Sequence, residues 1–192
     1  MRYMNTISMR QKANSISTQT PSHMKRFVAF AIDWYLGSIL VSLPVSIAYY
    51  QYFPQQSTVL DIRVLPFTSA CITLFASLMI ACLYYVVLPY CMQGQTLGKK
   101  LMKLRITEKG KQQISWRALC IRQIIGIILI EGSVYTISPL VYQLVCFGAD
   151  QMLSTITYVH YALTIASIAC LLFTKNRCAI HDYLTHTQVE AI

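Results

Sequence analysis

Residues 27–50 read FVAFAIDWYLGSILVSLPVSIAYY, and the fold turns on that stretch. About 20 apolar residues at ~1.5 Å each cover a ~30 Å hydrocarbon core, so the segment is long enough to span a bilayer. Asp33 is its only charged side chain. A carboxylate at that depth costs at least about 2.5–3.5 kcal/mol on insertion scales, so it requires a partner or a water-lined cavity. The rest of the chain has the same character. Of 192 residues, 55% are apolar and 12% charged, against about 25% charged in soluble domains. Mean hydropathy is +0.48. A polytopic membrane protein is expected, the lipid bilayer its solvent.

Three further apolar stretches, near 64–90, 123–147 and 153–173, complete an expected all-α bundle of four transmembrane helices. Gly126, Glu131, Gly132 and Pro139 would kink, tilt or make partly re-entrant the third of them. With the N-terminus inside, every Lys and Arg except Arg63 falls in segments 1–26, 91–122 and 174–192. That bias places both termini in the cytoplasm. It also accounts for the net charge of +9 by orientation and contact with anionic lipid, without nucleic acid. Residues 1–25 lack the apolar core of a signal peptide and read as a disordered cytoplasmic tail. Ser22 and Lys25 match S-x-x-K, but none of that enzyme class's companion motifs follows.

Between the second and third spans, Leu104 and Ile106 alternate with Arg105, and Glu108-Lys109-Gly110-Lys111 is a turn signal. A short β-hairpin returning through Gln112–Ile114 is expected there, followed by a helix capped by Ser115. Gly94 and Gly98 are one residue too close for a phosphate loop, and Lys100 stands where Ser or Thr is needed. The seven cysteines form no C-x-x-C, and the histidines form no H-E-x-x-H. Neither a disulfide framework, a metal site, a cofactor nor an enzymatic nucleophile is expected. Ser69, Thr73, Ser77 and Ala81 on the second span, and Ala162, Ala166 and Cys170 on the fourth, are candidate helix-packing seams. Tyr49, Tyr50 and Tyr52 would mark one membrane interface and Trp116 another.

Four stretches together resemble the RDD family of bacterial membrane proteins. They are Arg26-Phe27-Val28-Ala29-Phe30-Ala31-Ile32-Asp33; Gly94-Gln95-Thr96-Leu97-Gly98-Lys99-Lys100 with Lys103-Leu104-Arg105-Ile106; Arg117-Ala118-Leu119 leading to Arg122; and Arg177, His181-Asp182 and Thr187. They cover residues 26–189, which the resemblance makes one membrane domain. The family's arginine and two aspartates would fall on Arg26, Asp33 and Asp182. The resemblance implies a bacterial cell (inner) membrane location and, more weakly, small-ion transport such as cation/proton antiport. Cys178, where many members carry glutamine, and the extra acid Glu131 depart from the pattern.

Arg26 and Asp33 lie within about 20° of one helix face, ~10.5 Å apart in rise. Asp33 is expected to meet Arg26, Arg122 or Arg177, either as a structural pair or as an ion-binding carboxylate. Glu131 would lie ~13.5 Å deeper than Arg122 on a straight helix, a candidate intramembrane acid. Asp182 is expected to hold the C-terminal tail against the basic Gly94–Arg122 segment. Two functions follow. One is an ion transporter titrating Asp33 and Glu131, acting as a homo-oligomer. The other is a non-transporting accessory or scaffold. Its basic face, made by Lys99, Lys100, Lys103, Arg105, Lys109 and Lys111, would dock a protein partner or anionic lipid.

Overall fold

The computed structural model describes residues 21–55, 60–108, 114–123, 126, 135–173 and 185–192. Helix α1 (His23–Tyr52) opens at Ser22, whose backbone is extended and whose hydroxyl accepts the Lys25 N–H at 3.4 Å. That oxygen satisfies one of the N–H groups a helix start leaves bare. The S-x-x-K spacing is therefore a helix cap, and the helix begins inside the segment expected as a tail. Residues 1–20 lie outside the described residues.

Helix α1 buries Ala29, Asp33, Gly37, Val41, Val45 and Tyr49, every fourth position. Helix α2 (Phe67–Cys82) answers with the expected seam: Thr73, Ser77 and Ala81 are buried. Ser77 donates to the Val41 carbonyl at 3.0 Å, and Ser69 shares a 2.6 Å hydrogen bond with Tyr52. Two ridges of four-residue period interlock side by side, and small residues let the backbones close. Tyr49 leaves the expected interface cluster and turns inward against Phe53, ring centroids 4.9 Å apart.

Helix α2 runs on through a π-helical turn, Leu83–Val87, into α3 (Leu88–Cys91). The wider turn buries Tyr84, Tyr85 and Val86 in succession. Pro89 has no N–H for the Tyr85 carbonyl four residues back. Gln123 Nε2 donates to that carbonyl instead, at 2.6 Å. Among the described residues, α1, the run Phe67–Cys91 and α7 (Asp150–Phe173) are long and apolar enough to cross a membrane.

The helix expected after Ser115 precedes the expected third span, 123–147. Helix α5 (Trp116–Gln123) is capped by Ser115, whose Oγ accepts the Ala118 N–H at 3.2 Å as expected. Within the expected third span the described residues form helix α6 (Ile137–Val145), and most of 124–134 lies outside the described residues. Glu131 lies outside the described residues. On α7, the expected seam is only partly turned to the protein: Cys170 is half-buried. Ala162 and Ala166 are exposed, whereas His160, Thr164 and Ser167 are buried, with His160 stacked on Tyr142 at 4.6 Å. Burying polar groups among protein partners is cheaper than presenting them to hydrocarbon, so they set the helix's rotation.

The expected hairpin is corrected. Strand β1 (Leu104–Glu108) pairs antiparallel with β2 (Thr187–Ala191), in the register Leu104↔Ala191 to Glu108↔Thr187. Ile114 is in no strand. It fills a core with Val86, Ile106, Ala118 and Leu119, and Gln112 and Gln113 lie outside the described residues. Gly94 and Gln95 line the second edge of β1: the Ile106 N–H reaches the Gly94 carbonyl at 2.8 Å, and Gln95 Nε2 the Leu104 carbonyl at 2.9 Å. The sheet, α4 (Leu97–Leu101) and α5 form a collar at the His23 end of α1.

At the opposite end, Arg63 grips Asp61 through Nε (3.0 Å) and Nη2 (2.7 Å) and reaches Asp150 at the start of α7. Gln143 of α6 bonds the Ile62 N–H at 3.1 Å and the Leu60 carbonyl at 3.0 Å. The guanidinium holds the Asp61 carboxyl below its usual range, against a smaller opposing effect of burial.

Candidate functional site

The site forms where α1 meets the collar. Asp33 is 4% exposed, and its carboxylate accepts from four donors. The Tyr84 hydroxyl (3.1 Å) and the Gly98 N–H (2.8 Å) reach Oδ1; the Thr96 hydroxyl and Lys99 Nζ (3.3 Å) reach Oδ2. Lys99 also donates to Thr96 Oγ1 at 3.3 Å. The Tyr85 hydroxyl donates to the Asp33 carbonyl at 3.2 Å.

Local sequence explains each contact. Thr96 stands at the N-cap of α4 but does not cap it with its own side chain. Asp33 does so from another helix, taking a bare N–H of the first turn. Gly98 permits this, because a Cβ there would lie 2.3 Å from the Ala29 carbonyl oxygen and 3.0 Å from the Asp33 carboxyl carbon. Gly94 turns with φ +90° beneath the Ile106 carbonyl, a conformation glycine adopts without strain. The Gly94–Lys100 motif is thus a loop shaped to close on an aspartate.

The ion pair is made by lysine, where an arginine was expected. Arg26 instead donates from Nη2 to the Val189 carbonyl at 2.9 Å, along the outer edge of β2. Arg122 Nη1 donates to Thr187 Oγ1 at 2.7 Å. Arg26 and Asp33 therefore do parallel work from one helix: one holds the C-terminal strand, the other α4. Asp182, Arg177 and Glu131 lie outside the described residues. The tail is nevertheless fastened to the basic segment, by strand pairing.

Of the expected basic face, Lys99 turns inward to Asp33 and Arg105 faces Glu190 across the sheet at 3.7 Å. Lys100 and Lys103 are exposed, and Lys109 and Lys111 lie outside the described residues. Sequence reasoning missed Tyr84, Tyr85, Thr96 and Gly98 as partners. Two adjacent phenols within an apolar span were the available signal, since each hydroxyl needs a partner there.

A cavity of about 50 Å³ adjoins the carboxylate, lined by Asp33, Thr96, Lys99, Arg122, Gln123 and Tyr135, among others. At roughly 10–15 Å³ of such volume per water, it has room for a few waters among polar partners. Among the described residues, no group of three or more His, Cys, Asp or Glu could hold a metal ion.

Neither the curated proteins nor the solved structures compared with this chain include a match. A model of the RDD family matches residues 20–186. That range takes in Arg26, Asp33 and the whole Gly94–Lys100 loop, and with its long apolar helices the chain is a membrane protein belonging to the RDD family.

Proposed function

We propose that the chain is a non-transporting membrane module, a platform that holds a small basic collar at the bilayer surface for a partner or anionic lipid. The state of Asp33 carries this reading. A carboxylate offers about four acceptor positions, and four protein donors occupy them, one a backbone N–H and one an ammonium. A transported cation would need oxygen lone pairs in their place. Asp33 serves as a latch, and Arg26 as its counterpart on β2.

The chain's course supports four crossings with both ends on one side. Arg26 and Val189 meet at the collar. Gln123 is also at the collar end, whereas Gln143 is at the opposite end beside Leu60. With the positive-inside bias, that side is the cytoplasmic face of a bacterial cell membrane.

A second reading, cation/proton exchange, has one observation in its favour. The cavity lies against an Asp–Lys pair, and lysine, unlike arginine, can release its proton when desolvated. Everted vesicles carrying only this protein separate the two readings. The platform predicts ΔpH behaviour identical to empty vesicles across pH and cations. Cation-dependent ΔpH dissipation that Asp33→Asn abolishes would overturn it in favour of exchange.

A further inference from the structure

Helix α4 has two dissimilar sides. Gly98 and Lys99 face Asp33. At 100° per residue, Leu97, Lys100 and Leu101 occupy the opposite arc. Leu97 is 43% and Leu101 67% exposed, and Lys100 and the following Lys103 are exposed as well. Five residues do not hold a helix by propensity; the Asp33 latch fixes this one to α1. The same end carries Tyr90 and Trp116, both exposed and packed edge to face with centroids 5.5 Å apart. Paired aromatics of this kind settle at the headgroup level.

We infer that the outer face of α4 sits in the headgroup layer of an anionic bilayer. Leu97 and Leu101 enter the acyl boundary, and Lys100 and Lys103 bind lipid phosphates. Two leucines flanked by two lysines match an anionic interface in both polarity and charge. Four side chains offer far less than the roughly 800 Å² per partner of a stable protein interface. This inference rests on the platform reading and makes the lipid its ligand.

The test uses the full chain with a single reporter, Leu101→Trp in a Trp34→Phe/Trp116→Phe background. It is reconstituted in phosphatidylcholine vesicles with or without phosphatidylglycerol, either lipid brominated on its acyl chains. Lipid seating predicts efficient quenching, stronger with brominated phosphatidylglycerol. That preference should fall about fivefold for each lysine removed, from ~1 kcal/mol per surface lysine. The variants are Lys100→Gln and Lys103→Asn. Asparagine suits position 103, where φ is +56°, because it tolerates the left-handed backbone.

Water-like, unquenched emission overturns the inference. So does equal quenching by both lipids, or shielding of the reporter by a co-purified protein. Failure here with silent transport assays removes the lipid site alone. Quenching together with cation-dependent ΔpH dissipation removes the platform reading and leaves the lipid contact standing.

Discussion

Replacing Asp33 with asparagine isolates the charge at the latch. The side chains of Asp33 and Lys99 are 6% and 20% exposed. Breaking a buried pair by removing one partner costs about 3–5 kcal/mol. The part-exposed ammonium can swing toward water, which lowers that figure. The asparagine carbonyl keeps the Gly98 N–H and Tyr84 hydroxyl as donors, but neutral bonds are roughly half as strong as charge-assisted ones. Its amide then faces the Lys99 ammonium donor to donor, while the Thr96 hydroxyl can rotate to accept. The expected loss is about 2–3 kcal/mol for Asp33→Asn. For Asp33→Ala, which also strands the Gly98 N–H, it is about 4–5 kcal/mol. Unfolding of the purified chain in mixed micelles, titrated with dodecyl sulfate, measures both. A double-mutant cycle with Lys99→Gln isolates the pair, with a coupling of at least about 1.5 kcal/mol expected. An Asp33→Asn loss under about 0.5 kcal/mol, the size of an ordinary surface substitution, would refute the latch.

Other expectations follow from separate contacts. Gly98→Ala places a methyl 2.3 Å from the Ala29 carbonyl oxygen, a backbone atom that cannot yield cheaply. It should release α4 and speed proteolysis after Lys99 or Lys100, and cleavage at the wild-type rate would contradict this. Ser77→Ala removes the bond to Val41 and should cost about 0.6 kcal/mol, the average for interhelical bonds in membranes; micelle unfolding measures it. The Asp61 carboxyl is held below its usual value by Arg63. Its contribution to stability is therefore fully present above the unfolded value near 3.9 and lost as pH falls through the lower folded value. The wild-type advantage over Asp61→Asn should vanish at strongly acidic pH, and an advantage that grows there would reverse the sign of the argument.

Much of the architecture is local, and therefore legible in the sequence. Apolar runs long enough for lipid, the small-residue seam on α2, the Ser115 cap and the β1 pattern are properties of neighbouring residues. So was the cost of Asp33, which fixed that it must be compensated. What compensates it was not legible, because Tyr84, Thr96, Gly98 and Lys99 are brought to it from 51–66 positions away. The strand partner was misassigned for the same reason: a turn signal at 108–111 favours a hairpin, yet β1 finds its mate at the C-terminus. Rotation of α7 likewise escaped a spacing argument, since small residues serve either a protein seam or a lipid face. The sequence by itself determined that this chain lives in a membrane and must neutralise one sunken carboxylate. Only tertiary structure decided that lysine and a helix N–H do so, because hydrogen bonds are fixed within tenths of an ångström and chain distance carries no such information.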